Sequence, residues 1–77
     1  MINHLFFADN GYTHVRQLPD GTWAGLVSLI YTTGLCVGLT EIGWTRRFCF
    51  EDRKMAISEL AKLTSVDDEP VGWIARR

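Results

Sequence analysis

The chain has 77 residues, 47% apolar and 22% charged, and eight basic against nine acidic residues leave a formal net charge of −1. A chain of this size supports one core and buries roughly 60% of its unfolded surface. The composition excludes intrinsic disorder, and the charge balance argues against a strong non-specific nucleic-acid binder, which needs a basic excess to displace counterions from phosphates; a local basic patch stays open.

Asn10-Gly11 is the first turn signal. This dipeptide tolerates positive φ at both central positions and predicts a type I′ hairpin, joining a strand over residues 2–7 to one over 12–18. Pro19-Asp20-Gly21 is the second. Proline presets φ at the first turn position and Gly21 closes a G1 bulge, returning the chain into a strand over 22–32. Trp23, Leu26, Val27, Ile30 and Tyr31 also fit a helical stripe, but β-branched and aromatic content and the preceding turn favour the strand. Strands over 35–40 and 44–50 follow, with Glu41-Ile42-Gly43 as the turn between them. The run 22–40 carries no charge and holds Gly34 and Gly38 in a GxxxG spacing, yet threonines, Ser28 and three glycines dilute it and no cationic flank is present. Two buried strands and a turn account for it better than a membrane span.

Residues 51–63 lack glycine and proline and are rich in helix formers. Ala56, Ile57, Leu60, Ala61 and Leu63 share one face, and Lys54, Ser58, Glu59 and Lys62 the other. Glu51 and Asp52 suit the start of the helix dipole and Lys62 its end. Pro70 stops any continuation, and 71–75 reads as a short terminal strand or an extended segment docked on the sheet. The expected fold is α+β: an antiparallel β-meander of about five strands with one amphipathic helix packed on one face, in a single domain.

A three-residue turn at Glu41-Ile42-Gly43 sets Thr40 opposite Trp44 and Cys36 opposite Phe48, which puts Cys36 and Cys49 on opposite faces as free thiols; a register one residue different would bring them side by side. Neither cysteine lies in a CxxC, and no structural zinc site is expected. In the hairpin register His14 faces Phe7, and neither His4 nor His14 has the neighbours of a catalytic triad. No phosphate-cradling glycine motif is present. No catalytic residue, metal or cofactor is therefore expected. With no basic leader at Met1-Ile2-Asn3-His4, the expected setting is the cytoplasm, with reduced thiols.

Trp44-Thr45-Arg46-Arg47-Phe48-Cys49-Phe50 is the segment richest in binding chemistry. Alternation puts Trp44, Arg46, Phe48 and Phe50 on one face and Arg47 on the other. Arginine beside exposed aromatics stacks bases and contacts phosphates on a sheet surface, as in an RNA-recognition motif, although the glycine expected after the basic residue is missing. The plainer alternative makes Phe48 and Phe50 core and pairs the arginines with Glu41, Glu51 or the acidic loop 67–69. Arg76 and Arg77, beside Trp73, form a second arginine–aromatic group of the kind that anchors protein interfaces. Trp44, Arg46, Arg47, Trp73, Arg76 and Arg77 are the candidate partner-binding residues.

The stretches Leu18-Pro19-Asp20-Gly21-Thr22-Trp23-Ala24-Gly25-Leu26 and Tyr31-Thr32-Thr33-Gly34-Leu35-Cys36-Val37-Gly38-Leu39 resemble a group of short phage and prophage proteins. In that group the pattern continues as an arginine-containing aromatic strand, an alanine-rich helix and a P-x-G-x-W-I tail. Here these parts are 44–50, 51–63 and Pro70-Val71-Gly72-Trp73-Ile74, the tail departing by one residue in its spacing. The resemblance implies an origin in a mobile element and no site residues. Small, enzymatically empty proteins of such elements act by occluding a host surface, anti-CRISPR inhibitors being one class. The expected function is a phage- or prophage-encoded binding protein that blocks a host protein or ribonucleoprotein complex. A small nucleic-acid-binding module using the same arginines and a phage structural or assembly component are the alternatives.

Overall fold

The computed structural model describes residues 4–76, with side chains over 5–74. The elements run α1 (His4–Asp9), β1 (Thr13–Gln17), β2 (Trp23–Ser28), β3 (Thr33–Val37), β4 (Arg46–Phe50), α2 (Arg53–Lys62) and β5 (Ala75–Arg76). The α+β class stands: four antiparallel strands in sequential order form a meander that the two-residue β5 extends. No helix among the described residues is long and apolar enough to cross a membrane. The uncharged run 22–40 folds as β2 and β3.

The strand expected over 2–7 is the first correction, because its described part is helical. Asn10-Gly11 ends this helix instead of turning a hairpin: Gly11 takes φ +95°, its N–H bonds the Ala8 carbonyl, and the Tyr12 N–H reaches back to Phe7. That pair of bonds is the Schellman cap, which needs the same left-handed glycine as the hairpin turn. His14 consequently does not face Phe7. It lies exposed with φ +55°, where the β1–β2 register shifts between Thr13 and Arg16. Pro19-Asp20-Gly21 turns as expected, with Gly21 at φ +92° and its N–H on the Leu18 carbonyl.

Two further corrections concern register. β2 stops at Ser28, which pairs with Thr33, so the turn is 29–32 and Thr33-Gly34 belongs to β3. The next turn holds two residues, not three: Thr40 bridges Gly43, and the same register carries through Cys36 opposite Arg47 and Gly34 opposite Cys49. Cys36, Arg47 and Cys49 therefore share one face of the sheet. Both thiols are buried and free. The terminal strand expected over 71–75 is β5, one pair of residues at Ala75–Arg76; the Ile74 N–H already bonds the Cys49 carbonyl at 2.8 Å.

The main core lies between α2 and one sheet face, where Ala24, Leu26, Leu35, Val37, Phe48 and Phe50 meet Ala56, Leu60 and Leu63. Asp52 caps α2 by accepting the Lys54 N–H at 2.9 Å. Ala61, expected on the apolar stripe, is exposed, whereas Glu59, expected in solvent, is buried. Its carboxylate accepts the Val71 N–H at 2.9 Å and the Lys62 ammonium at 3.0 Å. Burial of a carboxylate is tolerated because both oxygens are satisfied.

The segment after α2 is tied down by charged groups. Arg46 donates from Nη1 to the carbonyls of Val66 and Asp68, both at 3.1 Å, and its other Nη lies 3.6 Å from Glu69. Asp68 accepts the Thr64 N–H and hydroxyl, and Asp20 accepts the Val66 N–H at 2.8 Å. The acidic run 67–69 is thus largely turned on its own chain.

Candidate functional site

The six residues singled out by sequence do not form one surface. Arg46 and Trp73 lie on the helix-covered side: Arg46 holds the loop after α2, and Trp73 packs its ring on Phe48 at 5.6 Å between centroids. Trp44, expected beside Arg46, joins Arg47 on the opposite side, because Trp44 and Thr45 precede the regular strand, which begins at Arg46, and strict alternation does not reach them. Arg76 pairs through its backbone with Phe48, its side chain lying outside those described, and Arg77 lies outside the described residues. Phe48 and Phe50 are fully buried core, which removes them as a base-stacking platform.

The second sheet face is only partly roofed. At one end α1 and its flank cover it with Phe7, Cys36 and Leu39, packed by Phe6, Tyr12, Val15, Trp23, Val27 and Trp44. Phe7 is fully buried and meets Trp23 and Tyr12 at 5.7 and 6.3 Å. Toward β5 the cover ends. There a depression of about 470 Å³ is lined by Leu29, Ile30, Tyr31, Thr32, Arg47, Cys49 and Ile74. Ile30 is 89%, Tyr31 90% and Ile74 55% exposed, an exposed apolar cluster of the kind that marks an interaction site.

Arg47 is built into this face. Gly34 makes room for it: a Cβ there would lie 3.2 Å from Arg47 Cδ and 3.0 Å from Val27 Cγ1. The guanidinium carbon sits 4.8 Å from the Trp44 ring centroid, within cation–π range. Its Nε is buried without a hydrogen-bond partner. The field of this cation reaches the neighbouring acids: burial pushes the Cys36 thiol up to about 12, opposed by Arg47 and reinforced by Cys49, and burial likewise raises Tyr12, reinforced by Cys36 and opposed by Arg47. A thiol held protonated in this way is a packing group, not a nucleophile.

Sequence reading placed Ile30 and Tyr31 inside a long strand and missed their exposure. The signal was the need for a turn within 22–40. That turn falls at 29–32, closed by the Leu29 N–H on the Thr32 carbonyl at 2.9 Å, so its two central residues project. Among the described residues no three His, Cys, Asp or Glu side chains converge as a metal site requires. Compared with models of protein families, with curated proteins and with solved structures, the chain matches none of them.

Proposed function

We propose that this chain is a small binding protein that acts by covering a surface of a host macromolecule, as small enzymatically empty proteins of mobile elements such as anti-CRISPR inhibitors do. Its sequence resembles a group of short phage and prophage proteins, and it shares small size, not sequence, with the anti-CRISPR class. The exposed trio Ile30, Tyr31 and Ile74 around the Arg47 depression carries this reading. An apolar, aromatic and arginine-bearing patch has the composition of interface anchors, and its position on the open sheet face leaves the folded core untouched on binding. A standard interface of about 800 Å² per partner would occupy a large part of so small a surface.

The test is capture from a bacterial lysate on immobilised wild-type chain and on Ile30→Asp and Tyr31→Asp variants. These positions are exposed, so both variants should keep the wild-type unfolding midpoint. A protein or ribonucleoprotein retained by the wild type and lost from both variants supports the proposal; protection of a CRISPR effector's target in cells would then name the class. Equal retention by all three baits moves the function off this face. A gel shift of oligonucleotides at low salt that fades as salt rises would point to nucleic acid, and self-association by light scattering to an assembly component.

A further inference from the structure

Four arginine side chains are described, and three are engaged by the chain's own oxygens. Arg16 serves the carbonyls of Leu60 and Leu63, Arg46 those of Val66 and Asp68, and Arg53 the Thr13 hydroxyl at 3.1 Å. Arg47 differs. It takes part in neither described ion pair, its Nε has no partner, and it is the one charged residue lining an otherwise apolar or neutral depression.

From this contrast we infer that the open face takes an apolar peptide segment of a protein partner that carries a single carboxylate, paired with the Arg47 guanidinium and flanked by side chains packed on Ile30, Tyr31 and Ile74. The inference rests on the reading of this face as the binding surface and specifies its occupant. Arg47 is positioned before any partner arrives: its stem lies over Gly34 and its cation over Trp44, so little rotamer freedom remains to be lost. A guanidinium presents a planar fork that matches a carboxylate, and apolar surroundings strengthen the pair. A carboxylate drawn to it offsets the cost of a cation held partly out of water. One cation matches one carboxylate. A polynucleotide, by contrast, needs a row of cations along its track, and this chain carries a net charge of −1.

The probe is a yeast-displayed random peptide library, sorted on the full chain and counter-screened on Tyr31→Asp. Selected peptides are resynthesised with their Asp or Glu changed to the amide and titrated against wild type, Arg47→Met and Arg47→Lys. Met keeps the stem over Gly34, Lys keeps the charge without the fork, and near-UV circular dichroism confirms that each is folded; if Met disturbs the fold, Lys carries the comparison. The expected result is an acidic residue flanked by apolar ones in the selected peptides. The amide change should weaken binding about tenfold on wild type and much less on the Arg47 variants. Peptides that need Tyr31 but share no acidic residue, or an amide effect equal on all three proteins, would overturn the carboxylate pairing while leaving the face as a binding surface. If no selected peptide depends on Tyr31, or if oligonucleotides alone bind through Arg47, the occupant is not a peptide and both proposals fall.

Discussion

Arg16 on β1 reaches the end of α2, donating from Nη1 to the Leu60 carbonyl at 2.7 Å and the Leu63 carbonyl at 2.9 Å. A cation at a helix C-terminus meets both the free carbonyls of the last turn and the negative end of the helix dipole. Arg16→Met leaves the apolar stem and removes both bonds. Hydrogen bonds to charged groups contribute about 1.5–3 kcal/mol, and the expected loss is about 2 kcal/mol, read as a lower urea midpoint with an unchanged slope.

Acid should loosen the segment after α2 first. The Val71 N–H, and then Lys62, hold the Glu59 carboxyl below its ordinary value of 4.5. Thr22 and the Val66 N–H hold Asp20 below 3.8, and Thr64 holds Asp68 below the same value. Each folded-state pKa is depressed, so each contributes stability that is present above the unfolded carboxylate range and lost as pH falls through the folded values. Unfolding midpoints measured from pH 6 downwards should fall below about pH 4.5, and Glu59→Gln should flatten part of that slope while lowering stability at neutral pH.

Gly34→Ala tests how Arg47 is seated. The added methyl would press on Val27 Cγ1 at 3.0 Å and Arg47 Cδ at 3.2 Å. Val27 is β-branched and stiff at χ1, so the arginine stem has to give. Overpacking of this kind costs about 1–3 kcal/mol, against about 0.4–1 kcal/mol gained from a less flexible unfolded chain, so a small net loss is expected. A urea midpoint at or above wild type would show that Arg47 moves without cost.

Alkylation reports on the Cys36 environment. Its thiol is buried and raised to about 12, so almost none is thiolate at pH 8. Iodoacetamide should leave Cys36 unmodified in the native protein and label it fully in urea, as read by peptide mass spectrometry. Labelling at the rate of an exposed thiol would contradict the packing of Cys36 beneath Phe7 and Leu39.

What local residue pattern decides was legible in the chain. Pro19-Asp20-Gly21 turns as its residue types require, and the glycine-free, helix-forming stretch gives α2 with Asp52 as its cap. Phe48 and Phe50 are core, and Arg46 pairs with the acidic loop; both follow the plainer of the two readings of that segment. The antiparallel meander also follows from turns spaced between β-branched, aromatic runs.

Other features rested on choices that local pattern leaves equal. Asn10-Gly11 suits a hairpin or a helix cap alike, since both need positive φ at the glycine, and packing of Phe7 on Trp23 and Tyr12 selects the cap. Glu41-Ile42-Gly43 accommodates a two- or a three-residue loop, and one residue of register moves every following side chain to the other face. That step brings Cys36 and Cys49 to the same side, while Trp44 meets Arg47 because it lies before the regular strand begins at Arg46. Residue order thus determined α2, the meander after Tyr12 and where most of its strands turn, but not that the segment before Asn10 forms a helix. Which face each side chain meets, and hence that Arg47, Ile30, Tyr31 and Ile74 share one open surface, was decided only when the strands paired, because register is a property of two segments and not of either one.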